Sequence, residues 1–154
     1  MIERARRLLT GLWAGLLLCI AAIATPAPFA TLATADAGRV VGRIFVQEAW
    51  LSLVVAGALL LIERGRAREA AAAGRGSVLS TEVLLLMGTV FCTVAGYFGI
   101  QPMMPAARAG QGALSFGQLH LISAGIFALK GLLVLALAWR AAGPHGGVSP
   151  GPSS

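Results

Sequence analysis

The sequence predicts an all-α membrane protein: a bundle of four transmembrane helices with both termini in the cytoplasm. Three observations point there. The 154-residue chain is 57% hydrophobic and only 12% charged, against roughly 45–50% apolar and about 25% charged in an ordinary soluble domain. Its apolar residues fall into four long runs, each close to the ~20 residues that cross a bilayer as a helix. Its arginines are spread unequally over the segments between those runs. The length suits one domain, and a soluble domain of this size has no interior large enough for so much apolar surface.

The first run, Leu8 to Thr34, carries no charge, and Pro26 and Pro28 near its end should stop or bend the helix. The second, Ile44 to Ile62, has a single charge, Glu48, near its start. The third, Val83 to Ile100, has none and runs into "QPMMP". The fourth, Leu119 to Trp139, holds Lys130, with His120 at its beginning. The expected organisation is a cytoplasmic segment 1–7, a transmembrane domain 8–140 with helices at about 8–34, 44–62, 83–100 and 119–139, and a disordered cytoplasmic tail 141–154, rich in Pro, Gly and Ser. "RGRAREAAAAGRG" is expected to prolong the second helix by two turns.

Orientation follows from charge. Arg4, Arg6, Arg7, Arg64, Arg66, Arg68, Arg75 and Arg140 fall on one side, and Arg39, Arg43 and Arg108 on the other. Basic residues favour the cytoplasmic face, hence both termini are expected inside, in a bacterial inner membrane. A competing reading takes the first thirty residues as a signal peptide, with a basic start, an apolar core and Ala22-Ile23-Ala24 as cleavage site. The long apolar stretch and the small-residue face of "GLWAG" argue against it.

The +6 net charge in such a chain sets orientation and meets anionic headgroups. No nucleic-acid motif accompanies it, so the expected partners are the lipid bilayer and a homo-oligomer or other membrane proteins. Gly11, Gly15 and Cys19 recur every four residues in the first helix, and Gly88, Cys92 and Gly96 do so in the third. Small residues at that spacing form grooves where helices approach closely, so both stripes are expected to pack helix on helix. The rival reading brings Cys19 and Cys92 to one depth, roughly 14–17 Å from the ends of their runs, as ligands for a soft metal. The placement of both thiols in apolar runs favours packing, and neither a metal nor a cofactor is expected.

Polar residues inside the runs are the candidate site. Gln47 and Glu48 lie about one turn into the second helix, and His120 at a similar depth in the fourth. Both helices run inward, so Glu48 and His120 are expected to meet. On the fourth helix His120, Ser123, Phe127, Lys130 and Val134 share an arc of about 80°, which should face the bundle interior. Lys130 stands ~13 Å from Trp139, too deep for its stem to bring the ammonium fully to the headgroups. The candidate intramembrane site is therefore Lys130, His120, Glu48, Ser123 and Gln47. Gly-rich phosphate loops, GxSxG, HExxH and CxxC are absent from the sequence, and no enzymatic activity is expected. The two remaining function classes are a binding or scaffold component and a subunit of a transporter for a small solute, proton or soft metal. A transporter requires a polar cavity joining Glu48, His120 and Lys130, whereas a scaffold requires only a closed bundle.

The stretches "GLWAGLLLCIAAIATPAPFATL", "AGRVVGRIFVQEAW", "QPMM" and "FGQLHLIS" resemble the transmembrane-protein-205-like family, which in bacteria is the domain of unknown function 4149. The resemblance covers roughly residues 8 to 140 and is carried by Gly15, Phe29, the Gly42 to Phe45 stretch, Pro102, and Phe116, His120 and Ser123. It implies a small multi-pass membrane protein without an established catalytic activity. A fainter pattern suggests a duplicated helix pair, with Phe45 and Ser52 spaced like Phe116 and Ser123.

Overall fold

The computed structural model describes residues 1–75 and 77–143. They form α1 (Ile2–Cys19), a π-helical turn (Ile20–Ala24), α2 (Pro26–Thr31), α3 (Thr34–Ala72), α4 (Thr81–Thr93), a second π-helical stretch (Val94–Ile100), a short 3-10 turn (Gln101–Met103), α5 (Met104–Arg108) and α6 (Phe116–Ala142). Four continuous helical spans result, Ile2–Thr31, Thr34–Ala72, Thr81–Arg108 and Phe116–Ala142, each long and apolar enough to cross a membrane.

The prolines explain the breaks. Pro26 and Pro102 offer no backbone N–H, so the turn before each loses its regular i→i+4 partner. The chain answers by widening: Thr25 N–H bonds Ile20 O, five residues back, at 2.9 Å, as a π turn requires. Pro26 then occupies the first turn of α2, where its missing donor is harmless.

The helices outrun the apolar stretches. α1 begins at Ile2, not residue 8, and α3 starts at Thr34 instead of 44, while its run past 62 to Ala72 is the prolongation expected of "RGRAREAAAAGRG". Hydropathy marks where a helix crosses lipid, whereas its ends depend on caps and on the helix propensity of the flanks. "TADAGRVVGR" and "RGRAREAAA" contain no proline, and an Asp36–Arg39 pair sits within the first of them. α3 ends where Gly74 turns to φ 68 and Arg75 N–H reaches back to Ala70 O at 2.8 Å, a closure that favours glycine. Ser80 caps α4 by accepting from Val83 N–H. Ser115 and Gln118 form a capping box that starts α6. At the other end α6 takes in Ala141 and Ala142, residues expected in the disordered tail; residues 144–154, which hold the rest of that tail, lie outside the described residues.

Each helix packs on its antiparallel neighbours: α1 on α3, α3 on α4, α4 on α6, and α6 on α1. The four make a square in which α3 and α6 stand at opposite corners, as do α1 and α4. The core contains Trp13, Leu17, Ala56, Leu59, Leu86, Val134 and Leu137. Large apolar residues such as Leu12, Leu61, Phe91 and Leu121 face outward, where lipid tails solvate them as well as a protein interior would.

The two halves repeat one plan: a helix, a π turn, a short proline-started helix, then a long return helix. The register of that repeat differs from the one suggested by Phe45/Ser52 and Phe116/Ser123. Thr34 and Phe116 begin the return helices, so the true correspondence is set by where their caps start them.

Candidate functional site

The centre of the square holds a chain of polar side chains. Lys130 of α6 is 3% exposed, and its Nζ donates to Glu48 Oε1 of α3 at 2.5 Å. Ser52, one turn beyond Glu48, donates its hydroxyl to the same oxygen at 2.5 Å. The hydroxyl oxygen in turn accepts the indole N–H of Trp13 from α1 at 3.0 Å. All four residues are buried. An isolated charge at this depth is expensive; here a cation and an anion neutralise each other, and the carboxylate takes a further hydrogen bond. The Lys130 Nζ also lies 5.4 Å from the centroid of the Phe127 ring, within the range of a cation–π contact. Phe127 packs edge-on to Phe45 at 5.2 Å.

The fourth corner contributes apolar and self-satisfied groups. Thr89 and Thr93 of α4 are buried, but each turns its hydroxyl proton back to a carbonyl one turn earlier, Leu85 O at 2.8 Å and Thr89 O at 2.9 Å. Cys92, between them, is buried.

Of the five residues singled out from sequence, Glu48 and Lys130 come together. His120 does not join them. It is exposed at the far end, away from the termini, where it stacks on Phe116 with 5.9 Å between centroids. The expectation that Glu48 meets His120 took the two helices to be aligned by the starts of their apolar runs. α3 starts ten residues before its run, which moves Glu48 to the depth of Lys130, about 15 Å further along α6 than His120. Ser123 is half-buried and makes no hydrogen bond to the cluster. Gln47 is exposed on the outer face of α3, since one residue's step turns it about 100° from Glu48.

Trp13 and Ser52 complete the cluster beyond the residues that the sequence marks. Ser52 was within reach of sequence reasoning, because i and i+4 share a helix face. Trp13 was not, because only tertiary packing decides which face of α1 looks inward.

The two small-residue stripes part company. A Cβ on Gly88 of α4 would stand 3.1 Å from Leu133 Cδ1, and one on Gly96, in the π-helical stretch that follows, 3.3 Å from Ile126 Cγ2. With buried Cys92 they form the close contact with α6. In α1, Gly11, Gly15 and Cys19 are exposed, and a Cβ on either glycine would meet nothing within 4 Å. The expectation that this stripe packs inside the bundle is corrected: Trp13 and Leu17 take the inward face, and the glycines turn to the outside. The exposed Cys19 and buried Cys92 consequently share no site, and among the described residues no three His, Cys, Asp or Glu side chains gather as a metal-binding group.

Two ion-pair clusters close the end of the bundle that carries the termini. Buried Arg6 of α1 pairs with Glu63 of α3 at 3.3 Å and with Glu3, and Arg66 also reaches Glu63 at 3.1 Å. Arg140 of α6 holds Glu82 of α4 at 2.8 Å. Each cluster fastens one adjacent pair of helices.

The family model described as Domain of unknown function (DUF4149) matches residues 8–113 of the chain. The chain belongs to this family. The match takes in Trp13, Glu48, Ser52 and the proline-bounded α5, and it ends before α6. The lysine that completes the central chain of this DUF4149 protein thus comes from beyond the matched region. No curated protein and no solved structure matches the chain.

Proposed function

We propose that this protein is a binding or scaffold component of a bacterial inner membrane, with both termini cytoplasmic and no catalytic activity of its own. The observation that carries the reading is the closed chain Trp13–Ser52–Glu48–Lys130, whose members are each at most 4% exposed. The charges are spent on one another and on helix packing. A solute pathway would need them reachable, and two shallow surface grooves lie outside the square, on α3 and the π-helical stretch after α4. The arginine excess near the termini supports the orientation. Kinship with the wider transmembrane-protein-205-like family is part of the same proposal, resting on Phe116, His120 and Ser123 in α6. Partners are then the bilayer, a second copy or other membrane proteins.

The alternative is a subunit of a small-solute, proton or soft-metal transporter. What favours it is the Lys130–Glu48 pair itself, since ionisable groups within membrane spans often mark ion pathways. Reconstitution into vesicles separates the two. Proton and soft-metal flux should match that of empty vesicles, and mass measurement in detergent should report the assembly. Flux above that background, abolished by Glu48→Gln, would establish the transporter reading instead.

A further inference from the structure

Three arginines lie toward the far end of the bundle, and two have clear partners. Arg39 pairs with Asp36, and the Arg108 guanidinium lies 4.7 Å over the Phe116 ring. Arg43 is exposed and makes no ion pair among the described residues. It stands at one end of a shallow groove on the outer face of α3, lined also by Gln47, Trp50, Leu51 and Val54. Positions 43, 47, 50 and 54 follow the i, i+4, i+7, i+11 spacing of one helix face. Along that face the chemistry changes in order: guanidinium, amide, indole, aliphatic. The distance from Arg43 to Val54 is ~16 Å, about half of the ~30 Å hydrocarbon thickness and so the depth of one leaflet. A second groove shares Trp50 and adds Gln101, and the Trp50 indole is held edge-on by Phe98 at 5.8 Å.

We infer that this face binds a single acidic phospholipid from the leaflet at the far end of the bundle. The phosphate pairs with Arg43, the glycerol ester carbonyls accept from the Gln47 amide, and an acyl chain lies over Trp50, Leu51 and Val54. Charge complementarity selects an anionic headgroup, because Arg43 supplies a bidentate donor that no acidic side chain pairs with among the described residues, Asp36 being taken by Arg39. The gradient along the helix selects a phospholipid over a soluble anion, which would leave the lower groove empty. The inference is independent of whether the bundle acts as scaffold or transporter.

Native mass spectrometry of the full chain released from detergent tests it, with phosphatidylglycerol and phosphatidylcholine of matched chains as probes. The wild type should retain one phosphatidylglycerol in preference to phosphatidylcholine. Arg43→Gln should lower that retention about tenfold, the factor expected for one charge-assisted contact. Arg43→Lys should keep the preference for the acidic lipid, and Arg39→Gln should leave retention unchanged. Phosphatidylglycerol with brominated chains should quench indole emission in the wild type and less in Trp50→Phe. Undiminished retention in Arg43→Gln, equal binding of the two lipids, an equal loss in Arg39→Gln, or occupation of this face by a protein helix in place of lipid would overturn the inference.

Discussion

Glu48 and Lys130 join opposite corners of the bundle, and they stand 82 positions apart in the chain. The same separation divides Thr34 from Phe116, which begin the two return helices, and Phe45 from Phe127, whose rings touch. The ion pair is therefore a contact between corresponding positions of the two halves, an acid in one and a base in the other. α3 and α6 lie diagonally, with each packed more extensively on α4 and α1 than on the other, so long side chains meet across the centre.

The pair should be coupled in stability. Lys130→Met leaves Glu48 buried without its cation, and Glu48→Gln leaves Lys130 without its anion. Either single change should cost about 3–5 kcal/mol, while the double variant costs far less. Membrane insertion of Lys130→Met should be intact, since the change removes a penalty of about 2.5–3.5 kcal/mol. Unfolding in detergent measures the cycle. Glu48→Gln with His120→Ala should instead be additive within ~0.5 kcal/mol; strong coupling there would contradict the register described above.

The hydrogen bonds of Ser52 should matter more than the one made by Trp13. Trp13→Phe takes one donor from the Ser52 oxygen, a hydrogen-bond loss of about 1 kcal/mol, and the smaller ring adds the cost of the core volume it leaves empty. Ser52→Ala leaves the indole N–H unpaired and strips a hydrogen bond from the Glu48 carboxylate, so about 2–3 kcal/mol is expected. In the unfolding assay the two changes should be non-additive, and strict additivity in the double variant would mean the chain is not continuous.

The two cysteines should behave as differently as their surroundings. Cys92→Leu overfills the contact with α6 and should destabilise by about 1–3 kcal/mol, whereas Cys19→Leu should be silent. Gly11→Ala and Gly15→Ala should stabilise by up to about 1 kcal/mol, because each removes backbone freedom from a helix without meeting a neighbour. A loss of stability in either would show that another chain packs against that stripe.

Orientation is open to a direct assay. Reporters fused after Ala73 and at the C-terminus should read cytoplasmic, and a reporter near Gly112 should read outside. The eight arginines near the termini set that outcome. A mature N-terminus near Thr25 would replace it with the signal-peptide reading.

Composition and hydropathy alone determined that this chain carries four segments long and apolar enough to cross a membrane as helices. In lipid each segment must satisfy its own backbone hydrogen bonds, so a run of apolar residues already implies a helix. They also identified Lys130 and Glu48 as anomalies, because charge in such a run is costly wherever it points. Which residues those charges meet was decided by tertiary structure. The starts of α3 and α6 are set by a two-residue link after Thr31 and by the Ser115 capping box, and these starts fix the depth at which Glu48 stands. The inward face of α1 was decided in the same way. Glycine and cysteine at four-residue spacing permit close packing, but Trp13 finds a partner for its N–H only by turning inward toward Ser52, and that rotation carries Gly11, Gly15 and Cys19 to the outside.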